Sequence, residues 1–367
     1  MIVLVTGANG FIGKNLLVRL QEEGIRTTTF LRSDSDLEDK VKNCDFIVHL
    51  AGVNRAENKN LFQEGNTNLT KNIAEILKNS KLKTPVIYSS SIQAGLVSPY
   101  GSSKKLAEDS LTELSAANGN LIYNYRLPNV FGKWCKPNYN SAVATFCYNL
   151  NNDIPIRIDK ADTLLTLVYV DDVVNEFIDV IKRGDLMEGL ETPQVHPSYH
   201  ITVGDLVEQL VLFKKSRSSA IIERGGAGLV RALYSTYISY FAPSQFSYKL
   251  QKHEDPRGVF VEMLKTKDSG QFSFFSAHPG ITRGGHYHHS KNEKFLVIRG
   301  QAKFCFRHIV TNEYFETFSS DDDPQVIETV PGWSHDITNV GDEEMYVMLW
   351  ANEIFDRENP DTITFKV

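Results

Sequence analysis

A glycine-spaced turn after the first apolar run most strongly constrains the fold of this chain. Met1 to Thr6 has the composition of a short buried strand, and a glycine at every third position then leads into an amphipathic helix. Glycines in such a turn let the backbone approach a pyrophosphate, and the helix N-terminus stabilises its charge. The pattern predicts a parallel α/β sheet that binds a dinucleotide through the turn residues, which are Gly7, Asn9, Gly10, Phe11, Ile12 and Gly13.

Two further apolar runs, 45–52 and 86–91, predict strands of the same sheet. The first ends in small residues, and we assign its end to the cofactor site at Leu50, Ala51 and Gly52. A helical stretch then begins with Tyr100, and Lys104 lies four residues later on the same helix face. We expect the lysine ammonium to lower the pKa of the phenol, so that the hydroxyl can protonate a carbonyl oxygen while a nicotinamide delivers hydride.

With these motifs, residues 1 to about 240 resemble the extended short-chain dehydrogenase/reductases that act on nucleotide sugars. The resemblance implies a Rossmann-type doubly wound parallel sheet and a catalytic set of Ser91, Tyr100 and Lys104, of which the last two also contact the cofactor. Ser90 is the alternative to Ser91. The resemblance further implies that Asn66 orders the active-site helix, and that the substrate is bound by Ser90, Arg126 and Asn129.

The end of the second predicted strand bears on cofactor choice. NAD sites usually place an acidic residue there for the ribose 2′-hydroxyl. Here Arg32 and Ser33 follow the strand and suit a 2′-phosphate, which favours NADPH and therefore reduction. Asp34 and Asp36 stand nearby and keep NAD as the alternative.

The last third of the chain carries an unrelated pattern of metal-ligand residues. His286 and His288 have the two-residue spacing that lets both side chains point to one side of a strand. Glu293 and the distant His335 complete the predicted set. Imidazoles with one carboxylate favour zinc, although iron, manganese and nickel remain open from ligand type alone.

The spacing of these residues resembles both motifs of the cupins, including the Pro-Gly-x-x-His-x-x-x-Asn segment that begins at Pro331. The resemblance implies an all-β jelly-roll barrel. Asp255-Pro-Arg257-Gly and Arg283-Gly-Gly-His also resemble the nucleotide-sugar 3,5-epimerase branch of cupins. That branch uses its histidine as a base without a metal, whereas here the corresponding His286 belongs to the metal pattern. We therefore assign no base.

The two patterns predict two domains, a reductase domain over 1–243 and a cupin domain over 244–367. Between them, 205–214 and 229–241 predict helices. After residue 247 the pattern turns to apolar runs separated by turn residues, which is typical of a barrel. These predicted strands are 259–264, 271–275, 295–298 and 345–350.

A reductase joined to a metal cupin resembles the bacterial capsular-polysaccharide enzymes with this arrangement. The resemblance implies C3 epimerisation of a UDP-2-acetamido-2,6-dideoxy-4-ketohexose in the cupin, followed by NADPH reduction at C4 to the L-talose derivative, on the route to UDP-N-acetyl-L-fucosamine. It also implies a homodimer. Two alternatives stay open: the cupin is a metal-dependent oxygenase or hydrolase, or it is a non-catalytic ligand-binding module. Whether the metal is catalytic or structural also stays open.

Composition adds expectations about partners and location. The net charge of −6 gives no electrostatic reason to expect nucleic acid as a partner. No apolar run has the length of a membrane span, and the first strand passes directly into the glycine turn without a cleavable signal. The four cysteines are scattered without CxxC spacing, which is typical of reduced thiols. We therefore expect a cytoplasmic protein.

Overall fold

A computed structural model describes residues 1–55, 58, 60–184 and 189–367 of the chain. The chain forms two compact units. Unit 1 comprises Met1–Leu210 and Arg231–Phe241, and unit 2 comprises Val211–Val230 and Ala242–Val367. The predicted linear boundary at 243/244 stays a prediction. The two units interleave in sequence, and the short strand at 221–222 pairs with a strand of unit 2.

The strands of unit 1 are β1 (Ile2–Thr6), β2 (Arg26–Phe30), β3 (Phe46–His49), β4 (Val86–Ser91), β5 (Ile122–Leu127), β6 (Asn129–Phe131), β7 (Leu164–Tyr169), β8 (Leu190–Glu191) and β9 (Ser198–Thr202). Its helices are α1 (Phe11–Glu22), α2 (Leu37–Lys42), α3 (Asn60–Phe62), α4 (Leu69–Ser80), α5 (Pro99–Asn118), α6 (Ala142–Asn151) and α7 (Val170–Arg183). A π-helical turn, Gln63–Asn68, joins α3 to α4.

Six parallel strands form the main sheet in the order β2-β1-β3-β4-β5-β8. Successive residues of β1 face opposite sides of this sheet. Val5 packs with Leu16 of α1 and Phe177 of α7, whereas Leu4 packs with Leu111 of α5 in a second core. Helices therefore cover both faces, and the predicted doubly wound sheet is confirmed.

The strand order also determines where a ligand can bind. The chain passes from β2, on one side of β1, to β3 on the other, so a crevice opens at the carboxyl ends of β1 and β3. Gly7 follows β1 with φ +70°, and a Cβ there would lie 2.6 Å from the backbone nitrogen of Ala51. Only glycine allows this close approach of the two strand ends.

The strands of unit 2 are β10 (Ile221–Ile222), β11 (Lys252–Asp255), β12 (Gly258–Thr266), β13 (Gly270–Ala277), β14 (Thr282–Tyr287), β15 (Glu293–Arg299), β16 (Gln301–His308), β17 (Tyr314–Ser320), β18 (Val326–Glu328), β19 (Trp333–Asn339), β20 (Met345–Ala351) and β21 (Ile363–Thr364). Helices α8 (Val203–Ser219) and α9 (Gly228–Ile238) each contribute residues to both units. The four strands and two helices predicted in this part of the chain are present, with bounds that differ by a few residues.

Two sheets make up unit 2, one of seven strands and one with the order β17-β16-β19-β14-β21. Their facing sides share one core, in which Phe275, Phe295 and Val347 of the first sheet pack with Phe304 and Ile337 of the second. This arrangement is the predicted all-β jelly roll. Among the described residues, no helix combines the length and apolarity needed to cross a membrane.

Candidate active site and metal centre

The glycine turn of unit 1 presents an uncapped helix N-terminus. Gly10 is the N-cap of α1 and has no side chain to accept a hydrogen bond, and the first turn of α1 carries no acidic residue. The backbone N–H groups of that turn are therefore available to an anion. Gly13 lets α1 lie against β1, because a Cβ at this position would come within 2.3 Å of the Gly7 carbonyl oxygen. These features fit the pyrophosphate of a dinucleotide.

A cavity of about 480 Å³ opens beside this turn. Of the residues predicted for the cofactor, catalysis or substrate, the cavity is lined by Gly7, Asn9, Gly10, Phe11, Ile12, Gly13, Leu50, Gly52, Ser90, Ser91, Tyr100, Lys104 and Asn129. The lining does not include Ala51, Arg32, Ser33 or Arg126. One cavity thus joins the glycine turn to the Tyr100–Lys104 pair.

Tyr100 lies in the first turn of α5. Ser98 is the N-cap of this helix, and its hydroxyl accepts a hydrogen bond from the Gly101 N–H at 3.0 Å. The phenol is hydrogen-bonded to Ser91, which ends β4. We expected Lys104 to lower the pKa of Tyr100; this is wrong for the structure, because burial raises that pKa and outweighs the bond with Ser91.

The Lys104 ammonium has its partners in β4. Its Nζ donates to the Ser89 carbonyl oxygen at 2.8 Å and lies 5.0 Å from the centre of the Tyr88 ring. Burial lowers its pKa from 10.5 to about 8. A buried ammonium with one carbonyl partner still has hydrogens to donate to the ribose of a cofactor.

Asn66 lies where the resemblance implies a helix-ordering residue. It is fully buried in the π-helical turn, and its amide nitrogen donates to Ser103 Oγ of α5 at 2.9 Å and to the Val53 carbonyl oxygen at 3.1 Å. Its Oδ1 accepts from the Val53 N–H at 2.8 Å. These contacts tie α5 to the chain segment that follows β3.

The predicted substrate residues fall into two groups. Asn129 lines the cavity, and its amide donates to the Thr166 carbonyl oxygen at 3.1 Å. The Arg126 guanidinium, about half exposed, binds both oxygens of the buried Glu108, at 2.9 and 2.6 Å. Ser90 donates to the same carboxylate at 2.6 Å. Their role in substrate binding stays a prediction.

Sequence analysis missed an aromatic and basic part of the cavity wall. Trp134, Lys136 and Tyr139 all line the cavity. Trp134 has φ +68°, an uncommon conformation for a residue with a side chain, and both aromatic side chains are exposed. The signal in the sequence was two aromatic residues and a lysine within an Asn- and Pro-rich loop that follows a strand.

In unit 2, the four predicted metal ligands meet: His286, Glu293 and His335 lie in three strands, and His288 directly follows β14. Ligand atoms of His286, His288, Glu293 and His335 all lie within 4.8 Å of one another. His286 pairs in register with His335, beyond a β-bulge at Gly284. Gly284 has φ +104°, and a Cβ there would lie 2.7 Å from the His335 carbonyl oxygen.

The spacing of these atoms fits a tetrahedral ion. Glu293 Oε2 lies 3.2 Å from His288 Nε2 and 3.4 Å from His335 Nε2. Ligand atoms about 2.0–2.1 Å from a tetrahedral zinc lie about 3.3 Å from one another. His335 Nδ1 is buried without a hydrogen-bond partner among the described residues. The site therefore fits a divalent metal.

Protonation also favours metal binding. Burial lowers the pKa of His286 to about 4, so its imidazole is neutral near pH 7. Burial alone would raise the pKa of Glu293, but its contacts with His288 and His335 and the charge of Lys291 hold that pKa well below its usual range. Neutral imidazole and ionised carboxylate are the forms that bind metal. Lys291 itself was missed, because nothing in its sequence context indicates burial.

Two family models match the chain. Residues 3–191 match the NAD dependent epimerase/dehydratase family, and residues 253–363 match the polysaccharide biosynthesis C-terminal domain. The matched segments contain the cavity at the glycine turn and the histidine cluster, respectively.

Similar proteins match over the whole length. The chain is 54% identical to UDP-2-acetamido-2,6-β-L-arabino-hexul-4-ose reductase of Pseudomonas aeruginosa, covering 100% of this chain and 99% of that protein. The crystal structure of capsular polysaccharide assembling protein CapF from Staphylococcus aureus matches with a TM-score of 0.90 and 41% identity, covering 100% of both chains. UDP-glucose 4-epimerase of Thermotoga maritima, 18% identical with a TM-score of 0.56, shares the fold over 65% of this chain and 98% of its own. The chain therefore belongs to the NAD dependent epimerase/dehydratase family and, over its whole length, to the family of capsular-polysaccharide enzymes that includes CapF.

Proposed function

We propose that the chain is a bifunctional UDP-sugar enzyme. Its cupin domain epimerises C3 of a UDP-linked 4-keto-6-deoxy-N-acetylhexosamine. Its reductase domain then reduces the C4 ketone with NADPH to UDP-2-acetamido-2,6-dideoxy-L-talose, on the route to UDP-N-acetyl-L-fucosamine for capsule or O-antigen. The observation that carries the proposal is the Ser91–Tyr100–Lys104 set beside the glycine turn, in a chain 54% identical to a named UDP-4-ketosugar reductase.

The reduction needs a hydride and a proton. NADPH, when bound, supplies the hydride to C4. Tyr100 gives its phenolic proton to the O4 oxygen as negative charge develops there, and Ser91, already bound to the phenol, directs the hydroxyl. Lys104 binds the cofactor ribose through the hydrogens that its bond to the Ser89 carbonyl oxygen leaves free.

Three residues after β2 support NADPH over NADH. The Asp34 carboxylate accepts from Lys40 Nζ at 2.8 Å and from the Leu31 N–H at 3.0 Å. Because Asp34 is engaged in these bonds, it is poorly placed to accept from a ribose 2′-hydroxyl. Arg32 and Ser33 are exposed on the same turn, where they suit a 2′-phosphate.

In the cupin domain, the proposed metal is zinc, with His286, His288, Glu293 and His335 as its ligands. A divalent ion there supplies Lewis acidity or maintains the barrel. The ketone at C4 makes the C3 proton acidic, so epimerisation consists of removing that proton and returning one to the opposite face. The lowered pKa values of His286 and Glu293 favour the forms that bind metal, and no residue is assigned as the base.

The test is incubation with a panel of UDP-4-ketosugars in heavy water, following NADPH absorbance and resolving the products by NMR. We expect deuterium at C3 and NADPH consumption with the 2-acetamido-2,6-dideoxy substrate, giving the L-talose configuration. NADPH consumption without deuterium at C3 would contradict the proposed epimerase activity and favour a ligand-binding cupin. Oxygen consumption, or hydrolysis of the sugar, would favour the oxygenase or hydrolase alternative.

The remaining sequence predictions belong to the same proposal. The homodimer is what the family resemblance implies, and the cytoplasmic location is the expectation from the scattered cysteines. Size-exclusion chromatography with light scattering measures the first, and fractionation of the producing cells measures the second. A monomeric mass would contradict the dimer.

A further inference from the structure

A segment far along the chain lies beside the proposed metal centre. Strand β21 pairs with β14, placing Thr364 opposite the ligand His286 and Ile363 opposite Tyr287. The Phe365 N–H extends this pairing with a bond to the Gly285 carbonyl oxygen at 2.9 Å. The pairing brings Asp361 against the turn formed by residues 288–291.

The Asp361 carboxylate organises that turn. Its Oδ1 accepts from the His289 N–H at 2.9 Å, and its Oδ2 accepts from the N–H groups of Ser290 and Lys291 at 2.7 and 2.8 Å. The Ser290 hydroxyl adds a bond at 3.0 Å. A single carboxylate therefore engages three consecutive backbone N–H groups of the turn.

The main chain of Asp361 contacts a metal ligand directly. Its carbonyl oxygen lies 2.5 Å from Nδ1 of His288. A carbonyl can only accept, so Nδ1 must carry the hydrogen and Nε2 is left with a free lone pair. Nε2 is the atom that lies 3.2 Å from the Glu293 carboxylate. Asp361 thereby selects the tautomer of His288 that can bind a metal through Nε2.

The turn also orients a second ligand through Lys291. This lysine is 7% exposed, and its Nζ lies 3.0 Å from Oε1 of Glu293 and 5.4 Å from the centre of the Phe355 ring. With Oε1 held by the ammonium, Oε2 is the oxygen that faces the two histidines. Because the Lys291 N–H is bound by Asp361, the position of this ammonium depends on the same carboxylate.

We infer that Asp361 is a positioning residue of the metal centre, which acts on His288 through its carbonyl oxygen and on Glu293 through Lys291. The inference rests on the proposed metal site. Partners that orient metal ligands typically change metal affinity by about 10- to 100-fold when they are replaced. Asp361 itself is not one of the four proposed ligands.

The test compares full-length wild-type protein with Asp361→Asn and with Glu358→Gln, an exposed acid three residues away. Each protein is stripped with a chelator and titrated with zinc against a competing indicator, and its Co²⁺ form is recorded by absorption spectroscopy. We expect Asp361→Asn to weaken zinc binding by roughly 10- to 100-fold and to shift the Co²⁺ bands. Glu358→Gln should match wild type in both measurements.

Lys291→Met keeps the apolar stem of the side chain and removes the ammonium. It therefore tests the link through Lys291 to Glu293 if Asp361→Asn fails to fold. It should also weaken zinc binding and alter the Co²⁺ spectrum. The thermal midpoint of the metal-free proteins is measured in parallel, because a purely structural role would lower that midpoint and leave affinity and spectrum unchanged.

The outcomes separate the two proposals. If wild-type protein binds no zinc, the proposed metal centre fails and this inference fails with it. If wild type binds zinc and folded Asp361→Asn has the same affinity and the same Co²⁺ spectrum, only the positioning role is overturned. Unchanged values in Lys291→Met would overturn its link to Glu293.

Discussion

Lys104 Nζ donates a hydrogen bond to the carbonyl oxygen of Ser89, 2.8 Å away, from a side chain that is almost fully buried. Ser89 lies in β4, the strand that also carries Ser91, so the lysine spans from α5 to the carboxyl end of the sheet. Burial disfavours the charged form and lowers the pKa of Lys104 from 10.5 to about 8. The ammonium is therefore lost within an accessible pH range.

The first prediction concerns pH. We expect kcat/KM for NADPH, which reports the free enzyme, to fall as pH rises through about 8, because Lys104 then loses its charge. Stability should change in the opposite direction: between about 8 and 10.5 the unfolded chain binds more protons than the folded one, so this group's contribution to the free energy of unfolding rises with pH. Lys104→Met should lack the kinetic transition. A flat profile through pH 9 in wild type would contradict the assignment.

The second prediction concerns the proton donor. Tyr100→Phe removes the hydroxyl and retains the ring, so NADPH oxidation should fall by roughly two to four orders of magnitude while NADPH still binds. Stopped-flow absorbance measures the rate and fluorescence titration measures binding. Tyr139→Phe, an exposed tyrosine of the same cavity, is the matched control for loss of a phenol. Near-normal turnover in Tyr100→Phe would show that another residue donates the proton.

The third prediction concerns the ordering of α5. Asn66→Ala leaves the Val53 backbone groups and Ser103 Oγ without their buried partner. We expect a loss of about 1–3 kcal/mol in the free energy of unfolding, together with slower reduction, because α5 carries Tyr100 and Lys104. Denaturant titration and steady-state kinetics measure the two effects. Asn43→Ala, an exposed asparagine in unit 1, serves as the control, and equal stability of both variants would count against the role.

The fourth prediction concerns cofactor choice. Arg32→Ala should raise KM for NADPH by roughly 10- to 100-fold and leave KM for NADH almost unchanged, because only NADPH offers a phosphate to the guanidinium. Arg26→Ala, at an exposed arginine that begins β2, the strand before Arg32, is the control. A wild-type enzyme that prefers NADH would contradict the interpretation of Arg32 and Ser33.

The fifth prediction separates the two activities. His288→Ala removes one of four proposed ligands, so elemental analysis should show a large loss of bound metal, and exchange at C3 should fall with it. The reductase site lies in the other unit, so the variant should still reduce a 4-ketosugar that is supplied already epimerised. Unchanged metal content would overturn the metal site. Loss of metal with continued C3 exchange would indicate that the ion has a structural role only.

Local sequence patterns determined the type of most elements and the central residues of both sites. The glycine turn, the Tyr100–Lys104 spacing and the histidine pairs are short-range features, because helix and strand periodicity places such residues on one face regardless of what packs against them. The sequence identified all four residues of the metal-ligand cluster, but His335 was assigned through the resemblance of its segment to a cupin motif.

The tertiary structure decided the partners of those residues, since partners come from segments far apart in sequence. Lys104 donates to a carbonyl of β4, and Arg126 binds Glu108 outside the cavity lining. Burial, which depends on the whole packed unit, set the direction of the pKa change at Tyr100 against the expectation. Asp361 gave no sequence signal at all: an isolated acid in a loop becomes the centre of the 288–291 turn only because β21 pairs with β14.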